Sequence, residues 1–294
     1  MTTASTSTST SAPAAAVLDG TGLAREIRAR VAAAAAESAG RGVPVRLAVV
    51  VATDDEGAGW YVRSLSGAAR RAGIVCDVVA LAPDADAGTI RRTLAGLSAD
   101  DTVHGIVLQT PLSDGVRVSE LAAGIVPEKD VDGANPLSVG RLAAGLPAHP
   151  PATAAAVLAL LDHHGIALAG RSAVVVGRSL VVGKPTAQLL LQRDATVSIC
   201  HRHTKDLAEH TRHADVLVVA VGLIGLVRAE HVAEGAIVVD VGTNTAPDGS
   251  LAGDVDAADV ATRAGGITPV PGGVGPVTTA LLLDHTVRSA RAHG

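Results

Sequence analysis

The run Ala173-Val174-Val175-Val176-Gly177-Arg178-Ser179-Leu180-Val181-Val182-Gly183-Lys184-Pro185 passes from a β-branched stretch through a glycine turn into a helical segment. A strand–turn–helix unit of this kind suits a dinucleotide: the helix start presents N–H groups and a positive dipole end to a pyrophosphate, and glycine lets the backbone approach. The spacing departs from Gly-x-Gly-x-x-Gly, since Ser179 stands where the second glycine would be. It differs equally from an ATP-binding P-loop, because five residues separate Gly177 from Gly183 and Pro185 replaces the magnesium-binding hydroxyl. In isolation a tight structural turn would read the same way, so the downstream strands weigh between the two.

A helix over about 183–192 leads to an alternating β-rich segment at 195–200, which ends in the basic run His201-Arg202-His203-Thr204-Lys205. In a doubly wound sheet the tip of this second strand meets the adenosine ribose, where an acid favours NAD and an arginine favours NADP. Arg178 and Arg202 can clamp a 2′-phosphate, so NADP fits better, with NAD as the alternative. His201 and His203, lacking a third ligand, make a poor metal site; a solvated basic loop accounts for them better, and no metal is expected. Two more apolar strands, 216–222 and 236–242, both end in glycine at the edge where open α/β sheets bind ligands, which places Thr243 and Asn244 at a crevice. Upstream, Trp60 and Tyr61 open a helical stretch at 60–73 just after a strand at 46–52. A ring there overhangs the strand's carboxyl end and either faces a substrate or packs half-buried.

Strands alternating with helices over 294 residues, 48% of them hydrophobic, predict an α/β class with enough core for two domains. A formal charge of −5 offers no broad basic face, which argues against a nucleic-acid partner. No uninterrupted apolar segment approaches a bilayer span, so no membrane partner is expected. Two cysteines, Cys76 and Cys200, fit a reducing cytosol, and Cys200 reads as a small core residue inside a strand. The first fifteen residues, rich in Thr, Ser, Ala and Pro, read as a disordered tail rather than a secretory signal. There is no Phe, one Trp and one Tyr, so stacking surface is scarce.

The segment Ile267-Thr268-Pro269-Val270-Pro271-Gly272-Gly273-Val274-Gly275-Pro276-Val277-Thr278 carries a specific resemblance. So do Pro127-Glu128-Lys129-Asp130-Val131-Asp132-Gly133, the Gly177-Arg178-Ser179 turn, Cys200-His201, Asp240-Val241-Gly242 and Gly253-Asp254-Val255-Asp256. On these blocks, from Leu18 to the last helix, the chain resembles the methylenetetrahydrofolate dehydrogenase/cyclohydrolase family of the bacterial FolD type. The resemblance implies two domains around a cleft: a folate/catalytic domain of residues 16–149 plus 276–294, and a Rossmann-like NAD(P)-binding domain of 150–275, after a tail at 1–15. It implies oxidation of 5,10-methylenetetrahydrofolate, followed in most members by hydrolysis of the methenyl product, in a cytoplasmic homodimer. The sequence itself shows no self-complementary patch. By the same resemblance Tyr61 would stack on the aminobenzoate ring, Asp132 would bind the pterin amide edge, and Gln109 would polarise the catalytic site. Pro271, Gly272 and Gly273 would border the substrate. Gly177, Arg178, Ser179, Arg202 and Thr243 would line the cofactor, with Thr153, Gly275 and Thr278 nearby; Arg202 replaces a usual Ser and Thr243 a usual Ile.

One departure bears on chemistry. The family pattern Tyr-Val-x-x-Lys is here Tyr61-Val62-Arg63-Ser64-Leu65, without the lysine. Hydrolysis of a methenyl cation needs protons moved between water and ring nitrogens, work for a tunable amine beside a glutamine. Leu65 has no proton to move, and Arg63 neither deprotonates readily nor shares its helix face. Hydride transfer asks mainly for positioning, so dehydrogenation is expected to survive with cyclohydrolase activity weak or absent. Ala58, Thr110, Ala134 and Ala152 also depart from the pattern on the folate side, the last two in the sense of a wider pocket. Drift in an alanine-rich chain and a changed substrate both account for them. The alternatives are a non-catalytic folate or nucleotide binder and a dehydrogenase for another small substrate.

Overall fold

The computed structural model describes residues 15–113 and 115–293. The tail expected over 1–15 lies outside the described residues except for Ala15, which packs against apolar side chains of the second domain. In chain order the first half contains β1 (Ala16–Val17), α1 (Thr21–Gly40), β2 (Arg46–Val51), α2 (Glu56–Arg71), β3 (Val75–Ala80), α3 (Ala87–Ala99), β4 (Gly105–Leu108), α4 (Val118–Ala122), α5 (Pro136–Ala143) and α6 (Ala152–His163). The second half follows with β5 (Ser172–Val176), α7 (Gly183–Leu191), β6 (Thr196–Cys200), α8 (Leu207–Thr211), β7 (Val216–Val219), β8 (Ile237–Asp240), β9 (Asn244–Thr245), β10 (Leu251–Ala252), α9 (Ala257–Val260), β11 (Gly266–Ile267) and α10 (Val274–His293).

Two parallel sheets result. One has the order β3-β2-β4 and the other β1-β11-β8-β7-β5-β6, with β9 and β10 forming a separate antiparallel pair. The central strands β2, β5 and β7 read as continuous Val/Ala/Leu runs because helices cover both faces, while edge strands β3 and β6 are half exposed. The α2 helix starts where the Asp55 carboxylate accepts from Ala58 N at 2.7 Å, and it buries Val62, Leu65 and Ala69 against the first sheet. Helix α6 is apolar on nearly every side, with Val157, Leu158, Leu160 and Leu161 buried, because it lies between α10 and α7 and joins the halves into one core. Among the described residues no helix is long and apolar enough to cross a membrane.

The chain ends do not respect a simple division in halves. Helix α10 packs on α1 and α6, whereas β1 pairs with β11, Ala16 facing Gly266 and Val17 facing Ile267. Residues 16 and 17, assigned from the sequence to the first domain, thus extend the sheet of the second. A two-residue strand has too little periodicity to disclose its partner.

Candidate active site

The carboxyl ends of β4 and β8 open on one cleft of about 610 Å³, bounded also by α2 and by the loop that enters α10. Tyr61, Gln109, Asp132, Thr153, Thr243, Pro271, Gly272, Gly273, Gly275 and Thr278, dispersed over more than two hundred positions of sequence, all line it. Gly177, Arg178, Ser179 and Arg202 do not; they sit at the neighbouring ends of β5 and β6, and Val181 and Val182 of the same turn carry the wall into the cleft.

Asp132 owes its position to a parallel bridge between Ile106 and Asp130, which sets residue 132 level with Leu108 at the end of β4 and beside Gln109. Burial raises its carboxyl to about 7, with the Asp130 carboxylate adding repulsion. Asp130 has a structural task, accepting from Ala134 N at 3.0 Å and Asn135 N at 2.8 Å. Burial and the Asp132 charge push the Tyr61 hydroxyl far up, so it remains protonated. The Gln109 backbone N–H is tied to Val50 O at 2.9 Å, and its side-chain amide donates to Thr110 O at 2.6 Å, turning onto its own chain.

Leu65 is fully buried among core side chains of α2 and its neighbours. The chain's three lysines, Lys129, Lys184 and Lys205, lie elsewhere. Lys129 is buried, donating to Ser98 O at 2.9 Å and Asp100 O at 2.8 Å; none of the three lines the cleft. Arg63 is exposed and also absent from the lining. Ala134 and Ala152, read from the sequence as widening the pocket, are corrected here: both are buried, at 5% and 0% exposure, and neither borders the cleft. Both are core residues, although Ala152 directly precedes the lining residue Thr153 and Ala134 stands two positions after Asp132.

On the dinucleotide side, close backbone packing explains the five-residue glycine spacing. Gly177 has φ +127°, and a Cβ there would lie 2.2 Å from Ala220 O; one on Gly183 would lie 2.2 Å from Gly177 O. Ser179 Oγ accepts from Val182 N at 3.2 Å and Gly183 N at 3.3 Å, so two N–H groups expected to face a phosphate are already capped. The N–H groups of Arg178, Ser179, Leu180 and Val181 have no partner among the described residues, and the first two lie directly after the Gly177 cradle. The tip beyond β6 is a turn closed by His201 N donating to Thr204 Oγ1 at 2.9 Å, which leaves Arg202 exposed.

Two carboxylates without an assigned role in the sequence reading organise the crevice loops. Asp254 Oδ2 accepts from Val221 N and Gly222 N at 2.7 and 3.0 Å, and Oδ1 from Leu223 N at 2.9 Å. Asp240 accepts from Gly242 N, Asp254 N and Val255 N at 2.8, 3.0 and 3.0 Å. Burial raises Asp240 to about 6 against these donors. A Cβ on Gly253 would meet Asp240 Oδ2 at 1.8 Å, which gives that glycine a steric reason. The Asp-Val-Gly and Gly-Asp-Val-Asp blocks carried the signal, but their mutual contact required the fold.

Fold and site together define a two-domain α/β protein with a Rossmann-like sheet and a cleft between its halves. Residues 18–132 match the catalytic domain of tetrahydrofolate dehydrogenase/cyclohydrolase, and residues 151–294 match the NAD(P)-binding domain of the same family. The chain belongs to this family. It is 66% identical over 273 residues to the bifunctional protein FolD 1 of Saccharopolyspora erythraea, covering 93% of each chain. It is similar in structure to the bifunctional FolD methylenetetrahydrofolate dehydrogenase/cyclohydrolase of Campylobacter jejuni, with TM-score 0.92, 40% identity and coverage of 95% of this chain and 99% of that one. The Trypanosoma brucei methylenetetrahydrofolate dehydrogenase-cyclohydrolase, solved with NADP and an inhibitor, superposes with TM-score 0.90 at 35% identity, covering 96% of this chain and 99% of that one.

Proposed function

We propose that this protein oxidises 5,10-methylenetetrahydrofolate to 5,10-methenyltetrahydrofolate with NADP, and that its methenyl hydrolysis is weak or absent. The observation that carries the second clause is a cleft holding Tyr61, Gln109 and Asp132 with no lysine on its walls. When bound, a nicotinamide dinucleotide supplies the hydride acceptor. The fit of such a group rests on the Gly177 cradle, the unpartnered N–H groups of Arg178 and Ser179, and the exposed guanidinium groups of Arg178 and Arg202, which suit a 2′-phosphate.

The folate side has to hold a flat, donor-rich pterin and a bridging carbon in line with the acceptor. Asp132, when ionised, accepts from the pterin amide N–H and amino group, and Tyr61 offers its ring to the aminobenzoyl group. The C–H bond of the bridging methylene breaks with its electron pair departing as hydride, and a neighbouring ring nitrogen donates its lone pair to give the amidinium cation. No side chain needs to exchange a proton in that step. Hydrolysis of the cation does need one: Gln109 and the high-pKa Tyr61 hydroxyl are poor exchangers near neutrality, and Asp132, raised to about 7, is engaged as an acceptor by the pterin edge while the substrate is bound.

A cytoplasmic homodimer completes the proposal. Free Cys76 and Cys200 fit a reducing compartment, and exposed Leu223 and Ile224, at 57% and 51%, offer apolar surface to a second copy. The test is a spectrophotometric assay with methylenetetrahydrofolate and each of NADP and NAD. Reduced NADP should form together with a methenyl product that accumulates and decays only at its uncatalysed rate. Enzyme-dependent decay well above that rate would overturn the claim about hydrolysis, and absence of any folate oxidation would overturn the reading altogether.

A further inference from the structure

The adenosine end of a dinucleotide belongs to the tips of β5 and β6, outside the cleft, whereas its reactive ring must meet the folate inside it. The wall available to that ring is the end of β8, where Asp240, Val241, Gly242 and Thr243 line the cleft. Two buried carboxylates stand directly behind this wall. Asp240, 3% exposed, turns back over its own chain and accepts from Gly242 N at 2.8 Å. Asp254, fully buried, lies against the same glycine: a Cβ on Gly242 would stand 2.5 Å from the Asp254 carboxyl carbon. Backbone N–H groups serve both carboxylates, and the Asn244 side-chain amide donates to Asp254 Oδ1 at 2.9 Å. Neither forms an ion pair among the described residues. Hydrogen bonds spread a carboxylate's charge without cancelling it, and a single layer of backbone screens it poorly.

We infer that Asp240, backed by Asp254, is a specificity-determining residue that makes the site favour the cationic, oxidised nicotinamide over the neutral, reduced one. The inference rests on the NADP reading above and deepens it. Hydride transfer carries two electrons from the bridging carbon to the ring, so the ring loses its positive charge and the folate gains one. A negative wall behind the ring therefore holds NADP more firmly than NADPH, and its grip slackens once the ring is reduced. Asp240 has its carboxyl raised to about 6 by burial and by the Asp254 charge, so the preference weakens in acid. The other ionisable side chains on the cleft walls are Arg28, Arg71, Tyr61 and Asp132. Guanidinium groups keep their charge and the Tyr61 hydroxyl stays protonated, which leaves Asp132 as the one group to separate by experiment.

The experiment is equilibrium binding without folate: NADPH is followed by its own emission, and NADP by displacement of NADPH, from about pH 8 to about pH 5. The quantity read is the ratio of the two dissociation constants, NADPH over NADP. Titration of the 2′-phosphate and of the histidines near it is common to both forms and cancels in this ratio. The ratio should fall about fivefold between the two ends of the range, with its midpoint near the Asp240 value. Asp240→Asn should lower it about tenfold at the alkaline end and remove the pH dependence, and Asp254→Asn should lower it in the same sense. Asp132→Asn should keep the fall, as should Asp248→Asn, exposed in the turn between β9 and β10. Should the latch variants not fold, the unaltered protein and Asp132→Asn decide by themselves. A ratio constant over the range, a fall abolished by Asp132→Asn, or a fall that persists in folded Asp240→Asn would overturn this inference and leave NADP binding intact. Absence of binding by either form would overturn the NADP reading and this inference with it.

Discussion

His285 of α10 donates from Nδ1 to the carbonyl oxygen of Val131 at 2.9 Å, and so fixes the backbone one residue before the cleft carboxylate Asp132. A carbonyl can only accept, which sets the tautomer. Burial and the nearby His149 ring, 4.8 Å away, hold His285 down to about 3, so it stays neutral across the physiological range.

This histidine predicts acid sensitivity. Its folded-state pKa lies below the ordinary value near 6.5, so the unfolded chain binds the extra proton and stability falls as pH drops from about 6.5 toward 3. The slope from this group approaches about 1.4 kcal/mol per pH unit. Urea melts across that window should show the slope, and His285→Leu should flatten it. The same variant leaves a buried carbonyl without its donor, which costs about 1–3 kcal/mol at neutral pH.

Asp132 predicts a rising pH profile. With its carboxyl raised to about 7, the ionised form that accepts from a pterin edge is the minority below that pH and the majority above it. Plotted against pH, kcat/KM for the folate should climb through about 7 and level off. Asp132→Asn should abolish that limb and reduce kcat/KM by about a hundredfold, since an amide presents an N–H where the substrate also donates. A flat profile in the unaltered enzyme would contradict this assignment.

Leu65→Lys tests the missing proton carrier. The position is fully buried, so an ammonium there must find its way toward Gln109 and Asp132 or lose its proton. We expect a melting temperature several degrees lower, about 1–3 kcal/mol in stability, and a gain of methenyl hydrolysis. The Asp132-dependent limb should move to lower pH as the new cation favours the carboxylate. Destabilisation without any hydrolysis would place the missing function elsewhere than in this one side chain.

Cofactor preference should follow Arg202. It is exposed at the tip beyond β6, and its Nε lies 3.2 Å from His203 Nε2, with no carboxylate partner among the described residues. Arg202→Ser should raise KM for NADP about tenfold and leave KM for NAD nearly unchanged. Equal effects on both cofactors would remove the 2′-phosphate from its vicinity.

The sequence disclosed the second sheet well because β5, β7 and β8 are buried on both faces and read as unbroken apolar runs, each ending in or near a glycine. Tyr61, Gln109 and Asp132 were legible as candidates, yet their convergence depends on parallel register, Val50 opposite Leu108 and Ile106 opposite Asp130, which no local pattern encodes. Comparison with the family pattern misplaced Ala134 and Ala152, which are buried in the core although Asp132 and Thr153, close to them in sequence, border the cleft. The loop latch of Asp240 and Asp254 was invisible for a related reason: its hydrogen bonds span residues up to 33 positions apart.

The reciprocal placement of β1 and α10 has a mechanical consequence. Each half of the molecule is finished by the opposite terminus, so neither can be excised as an autonomous unit: cutting away the last helix would strip cover from α1 and α6, and removing the first strand would bare β11.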